Sequence, residues 1–374
     1  MNEKRFYIYG AGIVASTVYT AIKNIYDQVP NAFYVSDTRW NLPQIDGIPV
    51  LGAEQIDSLN RECMYLVATP KVHHDVIADR LLQAGVTKDQ LIFVDNQLEN
   101  KLLDTYFSAS QEFVTASEFL NEDKESVDFE GNKALGVHDG DSLNQAIMPT
   151  VFQAKCHVDK VLRSAVEMPE YIQPIQVGAA LTDMVISSVQ DNLGENISAK
   201  NRNYCELTAT YYAWKNSDAE YKGLCHYRRI FELSAEQVKR LFAECDVDVI
   251  LPYPSIHYPD ISVQHKYCVN DGDWNAMLQA LQEVAPDYYN AYEEVFGGQY
   301  FYNFNMLIAK REVFDDYCQF MFSVLERAEE LTTPKGWERA DRFAGYMGEN
   351  LTTLYFRKNR DKLKIAHAGK LWLV

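Results

Sequence analysis

Over the first hundred residues, short continuous apolar runs alternate with stretches whose apolar residues recur every three to four positions. Phe6–Tyr9, Ala32–Ser36, Met64–Ala68 and Leu91–Val94 read as strands, and Ile13–Ile25 and Val76–Leu82 as helical. Strands that are apolar throughout, rather than at every second residue, are expected in a parallel sheet covered on both faces, and the intervening helices supply the cover. Residues 1–100 are therefore expected to form a small Rossmann-like α/β domain. From about residue 150 the same grammar returns on a larger scale. Thr150–Cys156, Tyr221–Tyr227, Val247–Leu251 and Asn305–Ala309 read as strands, the third stopped by Pro252 and Pro254. Helices are expected at Asn203–Asn216, where Tyr204, Leu207, Tyr211 and Trp214 share a face, and at Gln237–Cys245, Trp274–Val284, Arg311–Glu330 and Arg342–Phe356. Residues 150–374 thus predict a second α/β domain. Between the two, residues 101–149 lose the pattern and read as a solvated connector with room for one helix.

Charge sharpens this division. The 374 residues carry 35 Lys+Arg against 53 Asp+Glu, a net charge of −18, which excludes nucleic-acid binding through general basic charge. An anionic ligand would need a local basic site. The connector is strongly acidic, with ten Asp+Glu against three Lys, whereas Lys200–Arg229 holds six basic residues against three acidic ones. No run approaches the ~18 apolar residues of a membrane span. Lys4-Arg5 followed by Phe6–Ile22 mimics a secretory leader, but Gly10-Ala11-Gly12 interrupts it and a strand–turn–helix fits better. Seven cysteines, odd in number and without a C-x-x-C pair, argue against a disulfide framework or structural zinc and for a reducing, cytoplasmic setting.

Several motifs carry candidate chemistry. Gly10-Ala11-Gly12-Ile13-Val14-Ala15, placed after a strand and before a helix, fits the nucleotide-binding glycine turn, with Asp37 after the second strand where a ribose-binding carboxylate would sit. NAD or another nucleotide is the ligand such a turn would take. Asp139-Gly-Asp141, Asp246-Val-Asp248 and Asp271-Gly-Asp273 have the spacing of a divalent-metal site. Acidic-loop chance, a strand-edge charge and a helix cap, respectively, are the simpler accounts of them. His226, Arg228 and Arg229 close an apolar strand, where ligands bind in open α/β sheets, and arginine forks match phosphate oxygens.

Beyond these separate signals, the run His157…Lys160, Pro174-Ile-Gln-Val-Gly178, Asp191-Asn…Glu195-Asn-Ile-Ser…Asn201, Tyr204-Cys-Glu-Leu-Thr-Ala, Tyr212-Ala-Trp-Lys-Asn216 and Gly223-Leu-Cys-His-Tyr-Arg-Arg-Ile-Phe231 resembles the DUF4422 family of bacterial glycosyltransferases of capsule and O-antigen gene clusters. Tyr302-Asn-Phe-Asn-Met306 and Arg342-Phe-Ala-Gly-Tyr-Met-Gly-Glu349 look like its later motifs. The resemblance implies a GT-A-like fold. It also implies transfer of a hexosyl unit, pyranose or furanose, from a nucleotide-diphosphate sugar, UDP-linked, to a lipid-linked polysaccharide intermediate at the inner face of the cytoplasmic membrane. On this reading Arg228, Arg229 and Lys200 hold the diphosphate, and His226 and Tyr227 shape the donor site. His157, Lys160, Asn192, Asn196, Asn201 and Glu206 line or brace it. Glu349 is the candidate base, His226 a second catalytic candidate, and Asn303, Asn305 and Arg342 the acceptor contacts. His226-Tyr-Arg-Arg occupies the place where many such enzymes carry Asp-x-Asp, so metal-independent transfer is expected; Mn or Mg held by Asp271 and Asp273 is the alternative. The partners are a nucleotide sugar and a lipid-linked oligosaccharide, with no nucleic acid and with a homo-oligomer left open. The N-terminal module is similar to Rossmann-like domains attached to sugar-modifying enzymes. Two rival functions remain. A sugar-nucleotide oxidoreductase or epimerase would use Gly10, Gly12, Ala15 and Asp37, though the Tyr19-x-x-x-Lys23 pair lies too early to be catalytic. A non-catalytic carbohydrate-binding protein would use the 13% aromatic residues.

Overall fold

In the computed structural model, which describes residues 5–56, 63–121, 148–162 and 167–373, the apolar runs form two sheets. The first is built from β1 (Phe6–Tyr9), β2 (Phe33–Val35), β3 (Gln44–Ile45), β4 (Ile48–Gly52), β5 (Met64–Val67) and β6 (Leu91–Phe93) in the order β3-β4-β2-β1-β5-β6. Every pairing is parallel except the β3–β4 hairpin, whose turn Asp46-Gly47 has both residues at positive φ, 53° and 78°. Helices α1 (Ile13–Tyr26) and α2 (His74–Gln83) connect the strands.

The first twenty residues of the expected connector are folded. Residues 96–120 fold into α3 (Asn96–Ser108), capped by the Asp95 carboxylate accepting from Leu98 N–H, and α4 (Ala116–Leu120), opened by a Thr115/Glu118 capping box. Leu102, Leu103 and Phe107 of α3 are buried, and Asp104 of the same helix accepts from Tyr253 Oη at 2.6 Å, so this acidic stretch is part of the folded core. Asp139 and Asp141 lie outside the described residues.

The second sheet contains β7 (Thr150–Lys155), β8 (Ile172–Gln176), β9 (Val189–Gln190), β10 (Tyr221–His226), β12 (Val249–Pro252), β15 (Leu307–Lys310) and β16 (Ile365–Ala368), ordered β16-β12-β15-β10-β7-β8-β9. Only β15 runs antiparallel to its neighbours. β11 (Arg229–Phe231) folds back from β10 and pairs with the last strand, β17 (Lys370–Trp372), while β13 (Ser255–Ile256) and β14 (Tyr300–Phe301) form a separate ribbon. Helices α5 (Asn201–Tyr204) and α6 (Leu207–Asn216) replace the single helix expected over 203–216, because Cys205 takes φ 51° and breaks it. Around the sheet lie α7 (Ala235–Ala243), α8 (Asp271–Val284), α9 (Pro286–Phe296), α10 (Arg311–Leu331) and α11 (Phe343–Lys358).

The two lobes share a core. Tyr253 and Ile256 of the second lobe pack with Ile8, Phe33, Leu103 and Phe107 of the first, and the Phe107 and Tyr253 rings stack at 5.4 Å. Ser16 and Thr17 of α1 are buried against β13: Ser16 Oγ donates to Ile256 O at 2.7 Å, and Ile256 N–H donates to Thr17 Oγ1 at 2.9 Å. Side chains of α3 in turn hold β17, with Asn96 bonded to Trp372 and Asn100 to Lys370.

Candidate functional site

From β7 the chain builds outward through β8 and β9, then crosses back to place β10 on the other side of β7. The strand order therefore reverses between β7 and β10, and their carboxyl ends open side by side, Ala154 level with His226. Buried Gln153 fixes the tight β10–β11 turn by donating to His226 O and Tyr227 O, both at 3.3 Å, while Tyr227 N–H donates to Ala154 O. Arg228 and Arg229 are thereby held at the switch point.

Arg229 lies in the corner between two rings: its guanidinium carbon is 4.0 Å from the centres of both Phe304 and Trp372, whose planes meet at 84°. Burial, reinforced by the charge of Arg228, lowers its pKa to about 10, so it stays protonated at neutral pH. The Nε atoms of both Arg228 and Arg229 are buried without a hydrogen-bond partner, and among the described residues neither arginine forms an ion pair. Asp159, whose Oδ2 accepts from Cys156 N–H at 2.6 Å, feels the positive charges of Arg228, Lys155 and Arg342. Burial raises its pKa despite them.

Beside the arginines stands an acidic group. Glu206 Oε1 accepts from Asn305 Nδ2 at 2.7 Å and lies 3.8 Å from His226 Nε2. His226 Nε2 faces Phe304 O at 2.6 Å; a carbonyl can only accept, so Nε2 carries the proton. Burial, together with the two arginines, lowers the His226 pKa, and the ring is neutral with Nδ1 bare. Glu349 Oε1 accepts from Phe304 N–H at 2.8 Å. Its pKa is raised to about 8, chiefly by burial and then by the charge of Glu206, against the pull of Phe304 N–H and Arg229. Phe304 and Asn305 hold consecutive positive φ values of 73° and 49°, a conformation costly for non-glycine residues and kept by these contacts. Glu349 sits in the second turn of α11.

Other expected residues are placed differently. Asn305 is fully buried, bridging Glu206, Gly345 O and Thr352, which makes it a brace out of reach of an acceptor sugar. Lys200 gives its ammonium to buried Glu329 at 2.6 Å. Asn201 Nδ2 donates to Cys205 O and Thr208 Oγ1, and Asn196 ties Asn192 O and Gly194 O to Ser198 N–H. These asparagines hold loop backbone. The center of that bracing is Asp191, which the sequence reading passed over: wholly buried, it accepts from Gly178 N–H, Ala179 N–H, Ser198 Oγ and Thr208 Oγ1. Asn192 Oδ1 is buried without a partner. His157 and exposed Lys160 follow β7, with His157 Nδ1 3.7 Å from Cys156 Sγ. Asn303 Oδ1 accepts from Ser255 Oγ, and exposed Arg342, at φ 65°, precedes α11. Asp159, Phe304 and Trp372 were also missed; their roles arise from contacts with residues far along the chain.

The carboxylate pairs proposed for metal are engaged elsewhere. Asp273 is gripped by Arg339 through two 2.5 Å bonds and by Asn270 Nδ2, while Asn270 caps α8, whose first residue is Asp271. Lys310 bonds both Asp246 and Asp248. Among the described residues, no three of His, Cys, Asp or Glu come together so as to hold a metal ion. In the N-terminal lobe, Gly10 is at φ 124° and a Cβ there would lie 2.5 Å from Ala68 O. Gly12 leads into α1, Ala15 is buried in that helix, and exposed Asp37 is clasped by Arg39, which brings its pKa to about 2. Two cavities, of about 230 and 220 Å³, lie along α11, away from the switch point; both are lined by Arg357 and Arg360, which bond Glu112.

The fold that carries this switch point is similar to that of a known glycosyltransferase. The apo structure of WbbM, a bifunctional glycosyltransferase, superimposes with a TM-score of 0.52 at 23% identity, covering 60% of this chain and 45% of that one. The chain thus spans less than half the length of that protein, and at this identity the likeness speaks for the fold. Residues 158–360, more than half of the chain, match the family described as "Domain of unknown function (DUF4422)", and the chain belongs to that family. No curated protein matches it.

Proposed function

We propose that the protein transfers a hexosyl unit from a nucleotide-diphosphate sugar, UDP-linked, to a lipid-linked surface-polysaccharide intermediate. The observation that carries this reading is the pair Arg228 and Arg229: two adjacent guanidiniums with unpartnered buried Nε atoms, at the carboxyl ends of β7 and β10, in a chain of net charge −18. Such forks suit a diphosphate. As the bond from the sugar's anomeric carbon to the diphosphate oxygen breaks, negative charge grows on the leaving group, and fixed cations there lower the barrier. Glu349, when ionised, takes the proton of the attacking acceptor hydroxyl, and His226 fixes the Phe304 peptide that positions it. The arginines supply the charge that a divalent ion would otherwise bring, so transfer needs no added metal. On this proposal the lipid-linked acceptor is met at the membrane surface; no helix among the described residues is long and apolar enough to cross a membrane.

The test is a donor screen measuring UDP release with and without EDTA, with Arg228→Ala in parallel. Release persisting in EDTA, and a UDP Kd raised roughly 30-fold or more by the substitution, are expected. Activity abolished by EDTA and restored by Mn²⁺ would remove the metal-free mechanism. Unchanged donor affinity in Arg228→Ala would remove the site.

A further inference from the structure

β17 pairs through one edge with β11, Trp372 opposite Arg229 and Lys370 opposite Phe231. Its other edge would leave backbone donors and acceptors unpaired. Two asparagine side chains of α3 take them. Asn96 Nδ2 donates to Trp372 O at 3.2 Å, and Trp372 N–H donates to Asn96 Oδ1 at 3.1 Å; Asn100 does the same for Lys370, at 2.9 and 3.3 Å. A carboxamide carries the same donor and acceptor as a peptide group, so each side chain pairs as a strand residue would. The spacings agree: i and i+4 on a helix are ~6 Å apart, close to the ~6.8 Å between alternate strand residues. An N-terminal-lobe helix thus completes the sheet edge that carries Trp372, one of the two rings enclosing Arg229.

We infer that Asn96 is a positioning residue for Arg229, so that the N-terminal lobe forms part of the structural support of the anion site. Asn96 fixes the Trp372 backbone through both its N–H and its C=O, and the indole then keeps the guanidinium in the corner it forms with Phe304, with its Nε buried. The inference rests on the reading of Arg229 as a diphosphate ligand, but its geometry can be tested without one. In the full-length chain, the Arg229 Nε–H resonance, assigned by its loss in Arg229→Lys, is shifted by the ring currents of Phe304 and Trp372. Asn96→Ala is expected to move it toward the position of an unstacked arginine, whereas an unmoved resonance would overturn the inference. A second readout is a double-mutant cycle on UDP binding. Asn96→Ala should weaken UDP about fivefold when Arg229 is present and by nothing further in Arg229→Ala. A loss of equal size in both backgrounds would mark a merely structural role and would also overturn it. If Asn96→Ala does not fold, Asn96→Asp, which keeps the acceptor for Trp372 N–H and loses the donor to Trp372 O, is read in the same two ways. A wild-type chain that shows the shifted resonance but does not bind UDP would sink the donor assignment and leave the positioning role standing.

Discussion

Glu349 is a carboxylic acid held near neutrality by its surroundings, with its pKa raised to about 8. A general base works only when ionised, so kcat/KM is expected to rise as pH increases through about 8 and then to level. Glu349→Gln should abolish that rise together with most of the turnover while leaving UDP affinity nearly intact; a variant that keeps near wild-type turnover would remove Glu349 from the role. The same shift has a consequence for stability. Because the folded pKa lies above the unfolded value, the fold prefers the protonated acid, and its contribution is fully present below pH ~4.5 and declines as pH rises to about 8. Chemical denaturation should therefore show Glu349→Gln gaining on the wild type with rising pH, by roughly 4–5 kcal/mol above pH 8. Residue chemistry was only half legible beforehand. The basic surplus of Lys200–Arg229 pointed to Arg228 and Arg229, whose Nε atoms are buried without a partner. Lys200, Lys215 and Lys222, however, are answered by Glu329, Glu195 and Asp315, and two of those partners lie about a hundred residues away in sequence, where no local charge count can find them.

At the scale of elements, the site depends on loops held by buried polar groups. Asp191 fastens the turn after β8 to α6 through four accepted hydrogen bonds, so Asp191→Asn, which leaves at least one donor facing another, should cost about 2–4 kcal/mol. Thermal melting would show the loss, and an unchanged Tm would contradict it. Apolar runs made the strands β1, β2, β5, β6, β7, β10, β12 and β15 visible, because strands buried on both faces are apolar throughout. Short edge pieces such as β9 and β17 bury too few residues to make a pattern, and β16, although buried throughout, is four residues interrupted by His367. α9 did carry a signal, Pro286 at its first turn and Tyr288, Tyr292 and Phe296 on one face, and was overlooked. The break at Cys205 had none, since nothing in Tyr204-Cys-Glu206 announces a positive φ.

For the whole molecule, the two α/β units were readable from strand–helix alternation, but their union was not. Ser16, Thr17, Asn96 and Asn100 are ordinary polar helix residues in sequence, and only the fold shows them facing β13 and β17. Since Tyr253 and Ile256 lie in the same core as Phe33 and Phe107, the described lobes should unfold together. Calorimetry is expected to give one endotherm, and two well-separated ones would contradict the shared core.

The Phe304 peptide gives this architecture its mechanical logic. Its carbonyl is held by His226, its amide by Glu349, and its ring lies on Arg229. The group that would receive a proton and the group that would receive a departing phosphate are therefore geared to one residue. Any movement of residue 304 would shift both at once, so that on the proposed function donor binding and the readiness of the base would be coupled.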